Sequence, residues 1–350
     1  MPSGLNRARE FAESIRYLGD RPGNDSGEEL RSVADLSSFF KHNELRICNE
    51  LTPALYEVLS TAASRLRMMP EQIEAYVYES PTVQASCIVR DGECCLVRAS
   101  SGLVNLLSPE ELAFVLGHEI GHHLLGHSHA APEDRSPEEQ LAARAAEISA
   151  DRIGLVACGS IDVAVRALMK SLSGLPDRMI RFDVGRYLAQ FADATMASMS
   201  NRMTHPSMGV RCRALLWYAT TIESGDHAVD ATLKSVIDDR VARDLHRFID
   251  HEVNSQIQTA ERNVALWTAV LAIVRDGRMS KAERAWLEES FGSDSAAKVI
   301  GLLNGGSAED ARKLAESRRD SAILLLKDLA PKSWNQRESA AIRLADSKPD

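Results

Sequence analysis

Apolar positions recur along most of this chain at the three-and-four spacing of amphipathic helices. Leu55, Val58, Leu59, Ala62 and Leu66 mark one face of a helix that opens at Thr52-Pro53. Leu112, Val115, Leu116 and Ile120 mark another, whose start is written in Ser108-Pro109-Glu110-Glu111. There a serine N-cap, a first-turn proline and a glutamate closing a capping box stand in order. Ser136-Pro137-Glu138-Glu139 repeats the signal and opens a helix through about Cys158. Its larger apolar positions are Leu141, Ala145, Ile148 and Leu155, and its alanines permit a close neighbour. Residues 160–224 read as helical, broken at Pro176 and Pro206. Convincing β-prone runs occur at 75–78, 84–89 and 93–98, the last two joined by the hairpin signal Arg90-Asp91-Gly92.

The two ends and the last third differ in character. Residues 1–28 are polar, with Gly23-Asn24-Asp25-Ser26-Gly27, and read as a mobile arm. Residues 226–259 read as a charged helical connector. An apolar helix follows from Asn263 to Val274, then an Asp276-Gly277 turn and a helix capped by Ser280 with Glu283 as its partner. The pattern predicts a mainly α chain with a small sheet, an α+β class. Its parts are an arm at 1–28, a domain at 29–225, the connector at 226–259, an all-helical domain at 260–332 and a tail at 333–350.

Composition narrows the function. With 350 residues, 44% hydrophobic and 26% charged, the chain can bury a substantial core. A net charge of −9 and 5% aromatic residues argue against a nucleic-acid partner. No run approaches the roughly 18–20 apolar residues that span a bilayer. Residues 1–20 lack the apolar centre of a secretory signal. The six cysteines, at 48, 87, 94, 95, 158 and 212, form no C-x-x-C pair. They read as reduced, mostly buried thiols of a cytoplasmic protein, and no spacing recommends a zinc–cysteine site.

Chemistry enters with His118-Glu119-Ile120-Gly121-His122 on the second of these helices. Residues four apart share a helix face, so both imidazoles reach one divalent ion, while Glu119 projects beside it. That is the arrangement of a zinc peptidase, with Zn2+ as cofactor and a glutamate as general base. The metzincin spacing is excluded, since its glycine and third histidine would fall at Leu125 and Ser128. His127 lies five residues after His122, about 140° round an ideal helix, and is expected to point away. His123 and His129 are expected to be solvent-facing or outer groups. Glu147 and Asp151 share a face of the following helix. Glu147 is the candidate third ligand, leaving one position open, and Asp151 the carboxylate that orients a ligand imidazole.

These residues carry a resemblance. Ser101-Gly102-Leu103, Leu107-Ser108, Glu110-Glu111-Leu112, the motif from His118 to His122, and Glu147-x-x-Ala150-Asp151 resemble the HtpX and CAAX-prenyl endopeptidase family of gluzincins. The soluble or singly anchored branch with the mitochondrial Oma-type peptidases is similar in also carrying Gly126-His127. Thr204-His205-Pro206, with Arg211 and Leu215, is similar to a downstream segment of the family. The resemblance covers roughly residues 50–220. It implies a zincin-like fold, zinc on His118, His122 and Glu147, Glu119 as base and Asp151 behind a ligand. It also implies His205 as a stabiliser of the oxyanion and Arg211 as a structural or substrate-side group. Gln84-Ala85-Ser86 replaces the family's Asn-Ala before the substrate-side strand, and the edge strand is expected at 84–89 or 93–98. Residues 260–330 resemble a TerB-type helical domain through Asp276-Gly277-x-x-Ser280-x-x-Glu283; an EF-hand is excluded for want of further oxygen ligands. The leading expectation is a soluble zinc endopeptidase acting on a protein or peptide. The alternative is a zinc-containing, peptidase-like module that binds a regulatory partner through residues 260–332. A catalytically inactive zinc scaffold is disfavoured by the presence of Glu119.

Overall fold

A computed structural model describes residues 4–20, 33–88, 94–127, 135–190, 206–222, 230–274, 279–304 and 307–347. The elements in order are α1 (Gly4–Ile15), α2 (Val33–Asn43), β1 (Leu45–Arg46), α3 (Pro53–Arg65), β2 (Ile73–Tyr78), β3 (Ala85–Ile88) and β4 (Cys95–Ser100). They continue with α4 (Ser101–Leu106), α5 (Pro109–Leu124), α6 (Pro137–Cys158), α7 (Ile161–Ser173), α8 (Val184–Ala189), α9 (Met208–Ala219) and α10 (Ala231–Leu245). The last five are α11 (His251–Val274), α12 (Lys281–Phe291), α13 (Ser293–Asn304), α14 (Ala308–Leu329) and α15 (Trp334–Asp346). The class is α+β as expected. The chain divides into two compact units, 1–132 with 142–249, and 133–141 with 250–350.

In the first unit the strands form one mixed sheet in the order β1-β2-β4-β3. β2 and β4 run parallel with Ile73 opposite Cys95, and β3 pairs antiparallel to β4 with Cys87 opposite Val97. Period-two alternation divides the sheet's faces. Ala75, Cys87, Cys95, Val97 and Ala99 join the main core with α3, α5 and α7. Tyr76 and Leu96 face the other way, against Phe40 of α2. Of the two expected edges, 84–89 is the outer one, because β3 pairs only with β4 among the described residues. The hairpin signal at 90–92 lies outside them.

Two expectations change here. Much of the supposed mobile arm is helix α1, with Leu5, Ala8, Phe11, Ala12 and Ile15 buried in the main core. The charges between these positions mask a three-and-four apolar spacing. Residues 231–245, assigned to a connector, are an integral wall: Ile237, Val241 and Leu245 of α10 pack with Ile148, Val210 and Ala214. A fully buried ion pair, Arg152 Nη2 to Asp238 Oδ1 at 2.6 Å, joins α6 to α10.

Both capping boxes form. Ser108 and Glu111 close the start of α5, and Ser136 and Glu139 that of α6. Glu111 also accepts from Lys170 of α7 at 2.6 Å, a buried ion pair that ties the motif helix to its neighbour. α5 and α6 meet along small residues. A Cβ on Gly117 would sit 2.2 Å from the Ala157 Cβ, and one on Gly154 would sit 2.7 Å from the Phe114 carbonyl oxygen. That close approach brings a carboxylate on α6 within reach of imidazoles on α5.

The second unit is helical among its described residues. α11, α14 and α15 surround a core of Val264, Ala265, Ala269, Ala315, Leu326 and Ala341. The expected Ser280–Glu283 capping box opens α12. The Asp276-Gly277 turn lies outside the described residues.

Candidate metal centre

His118 and His122 are buried on consecutive turns of α5, and Glu147 is buried on α6. The two Nε2 atoms are 3.1 Å apart. Glu147 Oε2 is 3.5 Å from His118 Nε2, and Oε1 is 3.5 Å from His122 Nε2. Zinc–nitrogen and zinc–oxygen bonds of about 2.0–2.2 Å at tetrahedral angles put ligand atoms roughly 3.3–3.5 Å apart. The nitrogen pair at 3.1 Å and the two nitrogen–carboxylate distances of 3.5 Å, one to each Glu147 oxygen, lie close to that size, so the donor set fits a divalent ion. Glu119, half-buried on the same helix, lies near enough to Cys87 for its charge to help raise that thiol, after the larger effects of the Cys95 hydrogen bond and burial.

Each imidazole is held from behind. His118 Nδ1 meets Asp151 Oδ1 at 3.0 Å. Arg211 Nε donates to Asp151 Oδ2 at 2.8 Å, and Arg211 Nη1 lies 3.5 Å from Glu147 Oε2. Burial works against charge on Asp151, yet Arg211 and His118 hold the carboxyl below its usual range. Burial likewise opposes a proton on His118, but Asp151 and Glu147 outweigh it and raise the imidazole to about 10. Arg211 is therefore buried between two carboxylates on the far side of the ligand positions.

His122 is supported by His127, which was expected to point away, and by Asp20. Its Nδ1 is 2.8 Å from His127 Nδ1, and His127 Nε2 is 2.9 Å from Asp20 Oδ2. If His122 offers Nε2 to an ion, its Nδ1 carries the proton and donates to His127, whose Nε2–H then donates to Asp20. Arg16 closes the chain: its Nη2 donates to the Leu125 carbonyl at 2.6 Å, and its Nε lies 3.6 Å from Asp20.

The ideal-helix projection of His127 fails because α5 ends at Leu124. Gly126 turns left-handed (φ 63), and the His127 amide returns to the His122 carbonyl at 3.0 Å. A glycine just past a helix end signals such a reversal. His123 also departs from expectation: it is 2% exposed rather than solvent-facing. Burial, and more weakly Arg9, lower it to about 4. His129 and His205 lie outside the described residues.

Comparisons with known proteins bear on this centre. The chain is 27% identical over 214 residues to "Plastoglobule-localized metallopeptidase 48, chloroplastic" of Arabidopsis thaliana. The match covers 52% of this chain and 62% of that protein, so the chain spans less than two thirds of the relative's length. No solved structure matches. Among the described residues, no helix is long and apolar enough to cross a membrane. Residues 49–133, which include the histidine motif, match the model of Peptidase family M48.

Proposed function

We propose that this chain is a zinc-dependent endopeptidase of gluzincin type that hydrolyses peptide bonds of protein or peptide substrates. The observation that carries the reading is the triangle of His118 Nε2, His122 Nε2 and a Glu147 carboxylate, all within 4.8 Å of one another. In this reading those three residues bind one zinc ion. Zinc, when bound, supplies a Lewis acid and lowers the pKa of a water it holds to about 7. Glu119 takes the proton of the attacking water and later hands it to the leaving amine nitrogen. Asp151 fixes the tautomer of His118, and His127 with Asp20 fixes that of His122. Arg211 has a structural role, keeping Asp151 ionised. His205 is assigned to the developing oxyanion on the resemblance of Thr204-His205-Pro206 alone. An extended substrate segment adds to β3 by main-chain hydrogen bonds.

Six free cysteines fit a reducing, cytoplasmic setting. The second unit has its own core and, in this reading, is a TerB-like module that recruits a protein partner.

The decisive experiment compares wild type with Glu119→Gln on an unfolded protein substrate, with metal content measured in parallel. Retained metal with cleavage reduced by about 10²–10⁴ supports the reading. Cleavage at the wild-type rate overturns it.

A further inference from the structure

Three buried side chains from three elements meet on the sheet side of α5: Cys87 of β3, Cys95 of β4 and His123 of α5. One ligand atom from each lies within 4.8 Å of the other two. None belongs to the centre built on His118, His122 and Glu147. His123 follows His122 directly, but a helix turns about 100° per residue, so the two rings face different sides.

His123 is the residue that calls for a ligand. It is 2% exposed, and neither ring nitrogen has a hydrogen-bond partner among the described residues. Buried imidazoles carry a donor and an acceptor that ordinarily find partners. Two sulfurs, Cys87 Sγ and Cys95 Sγ, lie within 4.8 Å of a nitrogen of that ring and stand 3.8 Å from each other. Zinc–sulfur bonds of about 2.3 Å at the tetrahedral angle place two thiolates roughly 3.8 Å apart. A disulfide fits less well, because its sulfurs stand only about 2.05 Å apart. The register adds to this: Cys87 faces Val97, which makes Cys95 its diagonal neighbour on β4. Diagonal partners in a sheet have Cα atoms about 7–8 Å apart, at or beyond the reach of an unstrained disulfide.

We propose that Cys87, Cys95 and His123 supply three ligands of a second, buried metal site that binds a thiophilic cation. Charge selects zinc: two thiolates neutralise a divalent ion, whereas a cuprous ion would leave a net negative charge in the core. The ion would pin β3, the outer strand, onto the helix that carries the histidine motif. This site does not depend on the chain's being a peptidase.

The test uses the full chain, purified under reducing conditions. Elemental analysis should give two metal equivalents per chain. Zinc-edge X-ray absorption of the wild type should show sulfur at about 2.3 Å. Cobalt substitution should give a thiolate charge-transfer band that survives His118→Ala and disappears in the Cys87→Ser/Cys95→Ser double variant. Because the wild-type spectra need no variant to fold, they decide the matter alone. At most one ion per chain, with nitrogen and oxygen scatterers only and no thiolate band, overturns the site. Copper on sulfur would keep the site and overturn the choice of zinc.

Discussion

His127 Nε2 and Asp20 Oδ2 stand 2.9 Å apart although 107 positions separate them in the chain. Through this contact the turn that follows α1 reaches the back of His122. Outer partners of metal-bound histidines are typically worth 10–100-fold in metal affinity or activity. Asp20→Asn should therefore weaken metal binding by about that factor, measured by competition with a chromophoric chelator. Thermal melts of the metal-free chain provide the control. A variant that loses metal-free stability but binds metal as wild type does would remove the orienting role.

The partner pair behind His118 should behave differently. Asp151→Asn leaves Arg211 buried with weaker compensation. Removing one member of a buried pair costs about 3–5 kcal/mol. Here both stability and metal content should fall, read by denaturant unfolding and elemental analysis of the same sample. The conservative Asp151→Glu should not restore metal binding, since its longer arm displaces the carboxylate from His118 Nδ1.

Gly154→Ala tests whether helix spacing sets the ligand triangle. The added methyl would meet the Phe114 carbonyl at 2.7 Å, a backbone atom that cannot swing aside. Overpacking of this kind costs about 1–3 kcal/mol. The expected outcome is a lower unfolding midpoint together with weaker metal binding, because α6 carries Glu147. Unchanged metal affinity would separate the packing from the site.

Lys170 gives a pH-dependent prediction with a definite sign. Burial opposes its charge, but Asp177 and Glu111 outweigh it and raise the amine above the ordinary 10.5. A group whose pKa is raised on folding contributes fully below its unfolded value and loses that contribution as pH climbs through its folded value. Its stabilisation should be constant from neutrality to about pH 10 and fade above 10.5. Lys170→Met strands Glu111 in the core and should cost about 3–5 kcal/mol near pH 7. Unfolding of both proteins between pH 7 and 11 should show their difference shrinking only at the alkaline end.

Local signals made much of this architecture legible. Ser108-Pro109 and Ser136-Pro137 fixed the starts of α5 and α6 because caps act within four residues. The four-residue spacings of His118 with His122 and of Glu147 with Asp151 put each pair on one helix face. What escaped depended on tertiary contact or on backbone reversal. His127 was projected along a helix that ends before it, and Asp20 has no sequence feature linking it to a histidine far downstream. Cys87 and Cys95 carry no ligand spacing because strand register, rather than sequence distance, brings their sulfurs together. β1, two residues long, is too short to show an alternation.

Among the described residues β3 pairs with β4 alone, and this has a consequence for selectivity. A strand at the margin of a sheet offers amides and carbonyls, and these read a visitor's backbone while remaining nearly indifferent to its side chains. Only a polypeptide stretch whose own amides are unengaged can zip onto it. In the proposed function, a chain still coiled in helices or locked in its native sheet is refused, whatever its residues. Under that proposal the conformational state of the target, more than its side chains, would govern whether it is held.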